Sequence, residues 1–145
     1  MPTITRSALV EHAASDMYQL VTDVDRYPEF LPWCKAARVL EQTEDSQTAT
    51  VTIDERMKSA SFTTRNQLVP GEAIHMTLVD GPFRQLSGTW RFKSLAENAC
   101  RVELEIDFEF KTKVFAIMMG PAFSKICDTM VDAFVRRANQ LGAAE

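Results

Sequence analysis

Histidine and glycine are the scarce materials of this sequence. Its two histidines, His12 and His75, stand far apart at a spacing that suggests no metal site, and no Cys or His cluster accompanies them. Five glycines leave little material for a phosphate cradle, and the Walker loop, the dinucleotide fingerprint and the Gly-x-Ser-x-Gly elbow are all missing. Metal-dependent and cofactor-dependent chemistry are therefore not expected. Cys34, Cys100 and Cys127 are odd in number and widely separated, which fits reduced, partly buried thiols better than a disulfide framework. No run of about eighteen apolar residues spans a bilayer. Met1-Pro2-Thr3-Ile4-Thr5-Arg6 lacks the basic start and apolar middle of a secretory signal, so a cytoplasmic protein is expected. Positive charge is also short: 16 Lys and Arg face 20 Asp and Glu, a net charge of −4. That disfavours an extended nucleic-acid footprint, and no DNA partner is expected. Lys111, Lys113, Lys125, Arg136 and Arg137 are the residues that a local patch against RNA phosphate would use.

What the chain has in quantity is apolar pattern. With 46% hydrophobic and 25% charged residues over 145 positions, it reads as one globular domain, residues 1–145, able to hold a real core. The longest periodic segment is Val114 to Leu141. Met118, Ala122, Ile126, Met130, Phe134 and Ala138 recur every fourth residue, with Met119, Phe123, Cys127, Val131 and Val135 beside them. Proline has no N–H to give, so Gly120-Pro121 predicts a main helix that starts at Pro121, with Val114 to Met119 as a separate lead-in.

Ahead of that helix the period is mostly two. Thr3 to Val10 reads as a first strand. Ser15 is expected to cap a short helix with Asp16 in its first turn and Met17, Leu20, Val21 and Val24 on one face, and Asp25 to cap a second that begins near Pro28. Val39 to Glu44 and Thr48 to Met57 flank Asp45-Ser46 as a hairpin, Ser61 to Val69 follows, and Ile74, Met76 and Leu78 share one face of the next strand with His75 and Thr77 opposite. Leu86, Gly88, Trp90 and Phe92 then share a face, as do Val102, Leu104, Ile106, Phe108 and Phe110 across the Glu97-Asn98 turn. Arg91 and Lys93 are expected to pair with acidic residues on the outer face. About seven antiparallel strands, two short helices after the first, and one long C-terminal helix make an α+β domain in which the helix covers the sheet.

Catalytic parts are few in this pattern. Alternation puts Asp107 and Glu109 on the wet face, where carboxylates stay ordinary, and puts His75 opposite the apolar face. Seven methionines and nine phenylalanines concentrate on the inner strand faces and the terminal helix. Soft thioethers and large rings suit the lining of a cavity for a flexible lipid, and they equally suit a filled core.

Two stretches carry a resemblance. Asp25-Arg26-Tyr27-Pro28-Glu29-Phe30-Leu31-Pro32-Trp33-Cys34 and Asp80-Gly81-Pro82-Phe83-Arg84-Gln85-Leu86-Ser87-Gly88-Thr89-Trp90-Arg91-Phe92 resemble the coenzyme Q-binding protein and ribosome-association toxin family, within the START-like, polyketide cyclase/dehydrase superfamily. The resemblance implies a helix-grip fold, a curved sheet wrapped around the long helix with a tunnel for a hydrophobic ligand between them. It implies no catalysis in the first place, and either of two roles. One is binding of ubiquinone or a similar isoprenoid quinone in support of respiration, with transient contact at the inner membrane. The other is binding of the large ribosomal subunit so that the small one cannot join. A cyclase-like enzyme is a third, weaker reading.

Taken with the pattern, the resemblance places Phe30, Leu31 and Trp33 at the mouth. Leu78, Phe83, Leu86 and Trp90 fall on the sheet side, and Phe108, Phe110, Met118, Ile126 and Met130 opposite. For ribosome docking the residues are Lys113, Lys125, Arg136 and Arg137. Quinone binding is the expectation placed first.

Overall fold

A computed structural model describes residues 3–55 and 58–143. In chain order it has β1 (Thr3–Val10), α1 (Ala14–Thr22), a 3-10 helix (Val24–Glu29), β2 (Cys34–Gln42), β3 (Ser46–Glu55), β4 (Lys58–Val69), β5 (Ala73–Asp80), β6 (Phe83–Ala96), β7 (Ala99–Phe110) and α2 (Lys113–Ala143). The strands form one seven-stranded sheet in the order β1-β7-β6-β5-β4-β3-β2, antiparallel at every pairing. β2 to β7 are a meander, and β1 closes onto β7 at the far edge. The chain must therefore cross from one edge to the other between β1 and β2, and α1 and the 3-10 helix make that crossing. Bulges within the β2–β3, β4–β5 and β6–β7 pairings bend the strands, as a sheet that curls about a helix requires.

Alternation in β6 and β7 is as expected. Leu86, Trp90 and Phe92 are buried with Val102, Leu104, Ile106 and Phe108, while the opposite face is wet. Lys93 pairs there with Glu103 at 3.1 Å and holds its carboxyl below the usual range through that hydrogen bond. Arg91 stands opposite Glu103 in the register but makes no ion pair among the described residues. His75 is half-buried, its Nδ1 3.3 Å from the Thr89 hydroxyl. The β2–β3 hairpin turns where expected, with the Thr43 N–H donating to the Ser46 carbonyl at 2.8 Å. Met57, the last residue of the expected third strand, lies outside the described residues.

Three helix boundaries differ from expectation. α2 runs unbroken through Pro121. The missing N–H leaves the Ile117 carbonyl without an i+4 donor, but Ile117 is 77% exposed, so water can take that place. Buried Met119 and Phe123 on either side hold the helix to the sheet. Ser15 does not cap α1. Burial of Ala14 draws it into the helix, and the Ala13 carbonyl accepts from Asp16 and Met17 instead, at 3.1 and 3.2 Å. Asp25 lies inside the 3-10 helix with Pro28, and its carboxylate accepts the Val39 N–H at 3.0 Å. It therefore ties the crossing segment to β2 rather than starting a helix.

Candidate ligand cavity and basic surface

Helix α2 meets the sheet through two groups of aromatic rings. At its rear, Phe134 packs edge-on against Trp90, Tyr27 and Phe30, with centroids at 5.4, 5.4 and 5.3 Å. Nearer its start, Phe123 meets Phe108 at 4.7 Å, Phe83 at 5.1 Å and Phe62 at 6.2 Å, and Phe83 stacks on Phe110 at 4.9 Å. Between these plugs the helix presents Ile126, Cys127 and Met130, smaller and softer residues that do not reach across. A cavity of about 80 Å³ remains there. That is below the roughly 300–1,000 Å³ usual for small-molecule sites.

The sheet wall of the cavity comes from β3, β4, β5, β6 and β7: Ala49, Val51, Ile53, Phe62, Met76 and Ile106, with Leu86 and Trp90. Gly88 opens room on this wall, because a Cβ there would stand 2.7 Å from Met76 Cε and 3.3 Å from Ile106 Cγ1. Cys127 and Tyr27 also line it. Burial, with Asp128 nearby, pushes the Cys127 thiol up to about 12, and burial raises the Tyr27 phenol, whose hydroxyl donates to the Val21 carbonyl. Neither carries charge at neutral pH. No Asp, Glu, Lys, Arg or His is among the lining residues, and no group of His, Cys, Asp and Glu among the described residues could hold a metal ion.

Besides Ser87, two polar side chains interrupt this apolar wall. Thr64 and Asn66, on the inner face of β4, are 7% and 5% exposed and line the cavity. Behind them sits Gln47, 1% exposed. Its amide nitrogen donates to the Thr22 carbonyl at the end of α1 at 2.7 Å and to Gln42 Oε1 at 3.3 Å. Asn66 Nδ2 donates to Gln47 Oε1 at 2.9 Å, and the Thr64 hydroxyl donates to Asn66 Oδ1, also at 2.9 Å.

Of the residues expected at a ligand site, Trp33, Leu86, Trp90, Ile126 and Met130 line this cavity. Phe83, Phe108 and Phe110 belong to the front aromatic plug, and Phe108 and Phe110 also face an outer groove beside Lys111 and Lys113. Phe30 sits in the rear plug, and Leu31 is sealed in the core at 1% exposure rather than at a mouth. Leu78 is half-buried, packed beside Gly81. Met118 is 45% exposed and faces outward. The continuous helix explains this correction: Met119, Phe123, Ile126, Cys127, Val131 and Phe134 take the inner stripe, and Met118 falls beside it.

Most of the cavity wall lies outside the residues expected from sequence. Ala49, Val51, Ile53, Phe62, Thr64 and Asn66 share the inner faces of β3 and β4 in register, with Ala49 opposite Thr64 and Val51 opposite Phe62. The alternation of Ala49, Val51 and Ile53 with threonines carried that signal, but polar residues at 64 and 66 obscured it on the neighbouring strand.

The four cations expected at a docking surface lie along α2 without forming one cluster. Lys113, Lys125 and Arg136 are exposed. Arg137 is not available in the same way, because its side chain is only 19% exposed, pairs with Glu29 at 3.0 Å and lies 5.1 Å over the Phe30 ring. It fastens α2 to the 3-10 helix. Asp128, on the same helix face as Lys125, is held by Arg6 from β1.

Comparison with known proteins agrees with this architecture. The family described as polyketide cyclase / dehydrase and lipid transport matches residues 10–135. A Pseudomonas aeruginosa protein named ribosome association toxin RatA is 48% identical over 138 residues, covering 95% of this chain and 96% of that protein. A Drosophila melanogaster protein named coenzyme Q-binding protein COQ10, mitochondrial, is 28% identical over 140 residues, 94% of this chain and 58% of that one. The Zhui aromatase/cyclase of Streptomyces sp. R1128 superposes with a TM-score of 0.83 at 19% identity, covering 96% of this chain and 94% of that one. The last likeness is one of fold.

Proposed function

This chain belongs to the polyketide cyclase / dehydrase and lipid transport family, and we propose that within it the protein acts as a non-enzymatic ribosome-association factor that docks on the large ribosomal subunit and hinders subunit joining. The observation that carries this is the 48% identity with RatA along 95% of the chain. The quinone reading, placed first on sequence, becomes second, since COQ10 is only 28% identical and matches over 58% of its length. Docking falls to exposed cations on α2, namely Lys113, Lys125 and Arg136, each able to meet one RNA phosphate. Three such contacts make affinity fall about twenty- to fortyfold between 50 and 200 mM salt. Co-sedimentation of the purified protein with large subunits tests this. Binding that weakens with salt, and weakens further in Lys113→Glu, Lys125→Glu and Arg136→Glu, supports the proposal. Indifference of binding to the whole charge-reversal series would refute it.

A second reading rests on the cavity. Its apolar lining suits an isoprenoid quinone such as ubiquinone, for which the cavity of about 80 Å³ widens on binding, held by burial of ring and tail at roughly 25 cal/mol per Å² before ordering costs. On this reading the protein works in the cytoplasm and touches the inner membrane to exchange lipid. The uncharged lining supports carriage rather than acid–base catalysis. Mass spectrometry of an organic extract, from protein purified without detergent, should find quinone with the native chain and none with a folded Met130→Arg variant. An extract free of lipid from the native chain would count against it. The two readings are compatible, since a cavity ligand can bias a surface on the helix that covers it.

A further inference from the structure

The polar chain behind the cavity has a closed end and an open end, and its hydrogen-bond directions are fixed. A backbone carbonyl only accepts, so the nitrogen of Gln47 must face Thr22 and its oxygen must face Asn66. Asn66 then has to present nitrogen to Gln47 and oxygen to Thr64. The Thr64 hydroxyl must spend its proton on that oxygen. Gln47 is thereby used up and sealed from the cavity. Asn66 keeps one N–H, and Thr64 keeps its lone pairs, with no partner for either among the described residues. Both side chains line the cavity and both are more than nine-tenths buried.

Leaving that capacity unfilled in an apolar space is costly, and valine or leucine at either position would have extended the greasy wall. The site's charge is equally definite. Every cavity-lining residue is uncharged at neutral pH, so a carboxylate or phosphate taken inside would find no cation to offset its desolvation.

We infer that the cavity takes an uncharged lipid whose oxygen-bearing head, a carbonyl or hydroxyl, accepts the free N–H of Asn66 beside Thr64, and that it rejects ionised amphiphiles of similar length. This rests on the cavity reading above and narrows it. A hydroxyl satisfies both open positions, donating to Thr64 while it accepts from Asn66. A ketone or quinone carbonyl satisfies Asn66 alone. Free fatty acids and phospholipid headgroups are excluded by charge, whatever the fit of their tails.

Carbonyl-labelled 2-dodecanone and dodecanoate serve as probes, with binding read from the fluorescence of Trp33 and Trp90, which both line the cavity. At pH 8 the ketone is expected to bind at least a hundredfold more tightly than the ionised acid. Its infrared carbonyl band should lie below its position in hexadecane, and an Asn66→Leu, Thr64→Val variant should return it to the alkane position while ketone affinity falls about three- to tenfold. Loss of the Gln47 partner threatens the fold of that variant. The band position in the native chain needs no variant and decides the matter alone. A band at the alkane position refutes the anchor and leaves the cavity reading standing. Equal affinity for dodecanoate refutes the selectivity. If no probe binds, the cavity reading falls and this inference with it.

Discussion

Removing the ring of Phe134 should cost more stability than any other single truncation on α2. Phe134 has no exposed surface, and its ring meets Trp90, Tyr27 and Phe30 at 5.3 to 5.4 Å. It is thus the point where helix, sheet and crossing segment are joined. A buried Phe→Ala change costs about 3–5 kcal/mol, and three edge-on ring partners put this site in the upper part of that range, about 4–5 kcal/mol. Against a total stability of about 5–15 kcal/mol, the variant stays folded only if the parent lies above the bottom of that range. With a urea dependence of about 2 kcal/mol/M, the unfolding midpoint should drop by roughly 2 M. Phe134→Leu keeps much of the volume and should lose about half as much. Ile117→Ala, at a residue 77% exposed on the same helix, should stay within about 0.5 kcal/mol of the parent. A Phe134→Ala loss below about 1.5 kcal/mol, or one no larger than that of Ile117→Ala, would mean that the rear of α2 does not grip the sheet as described.

Other perturbations separate neighbours that look alike in sequence. Arg137→Ala should cost about 1 kcal/mol, from one partly exposed ion pair and one cation–π contact, whereas Arg136→Ala should change stability by less than about 0.5 kcal/mol in the same urea titration. Gly81→Ala should cost about 1–3 kcal/mol, because φ is +149° and a Cβ would sit 2.7 Å from Phe62 Cβ; Gly71→Asn, at φ +75° with open space around it, should be close to neutral by thermal melting. Burial raises the Cys34 and Cys127 thiols to about 11 and about 12. Unfolded thiols ionise near pH 9, so the folded state holds more protons above that value. Stability from these groups should be flat below pH 9 and fall between pH 9 and about 12. A thiol reagent at pH 8 should correspondingly react slowly with the folded protein and fast in denaturant, and equal rates would contradict their burial.

Much of the fold could be read from period alone. Leu86 to Phe92 and Val102 to Phe108 alternate without exception, so their inner faces were unambiguous, and the four-residue recurrence up to Ala138 marked the helix that covers them. The errors came where one residue's local preference competed with packing. Pro121 reads as a helix start, yet Met119 and Phe123 are both needed in the core and carry the helix across it. Ser15 reads as a cap, yet Ala14 is buried and draws the helix start two residues earlier. The cavity was legible on β6 and α2, where Leu86, Trp90, Ile126 and Met130 were expected and line it. It was illegible on β3 and β4, where inward-facing Gln47, Thr64 and Asn66 look like surface residues until the register shows them hydrogen-bonding one another. Nor could charge counting foresee that Arg137 is occupied by Glu29 and Phe30.

Subunit joining is the most direct test of the proposed function. Separately purified small and large ribosomal subunits are mixed under conditions that favour joining, with and without this protein, and resolved on a density gradient. The joined peak should shrink as the protein rises to excess over subunits, and a folded Lys113→Glu, Lys125→Glu, Arg136→Glu variant should leave the peak intact. An undiminished joined peak with the folded native protein in excess would contradict the proposed function.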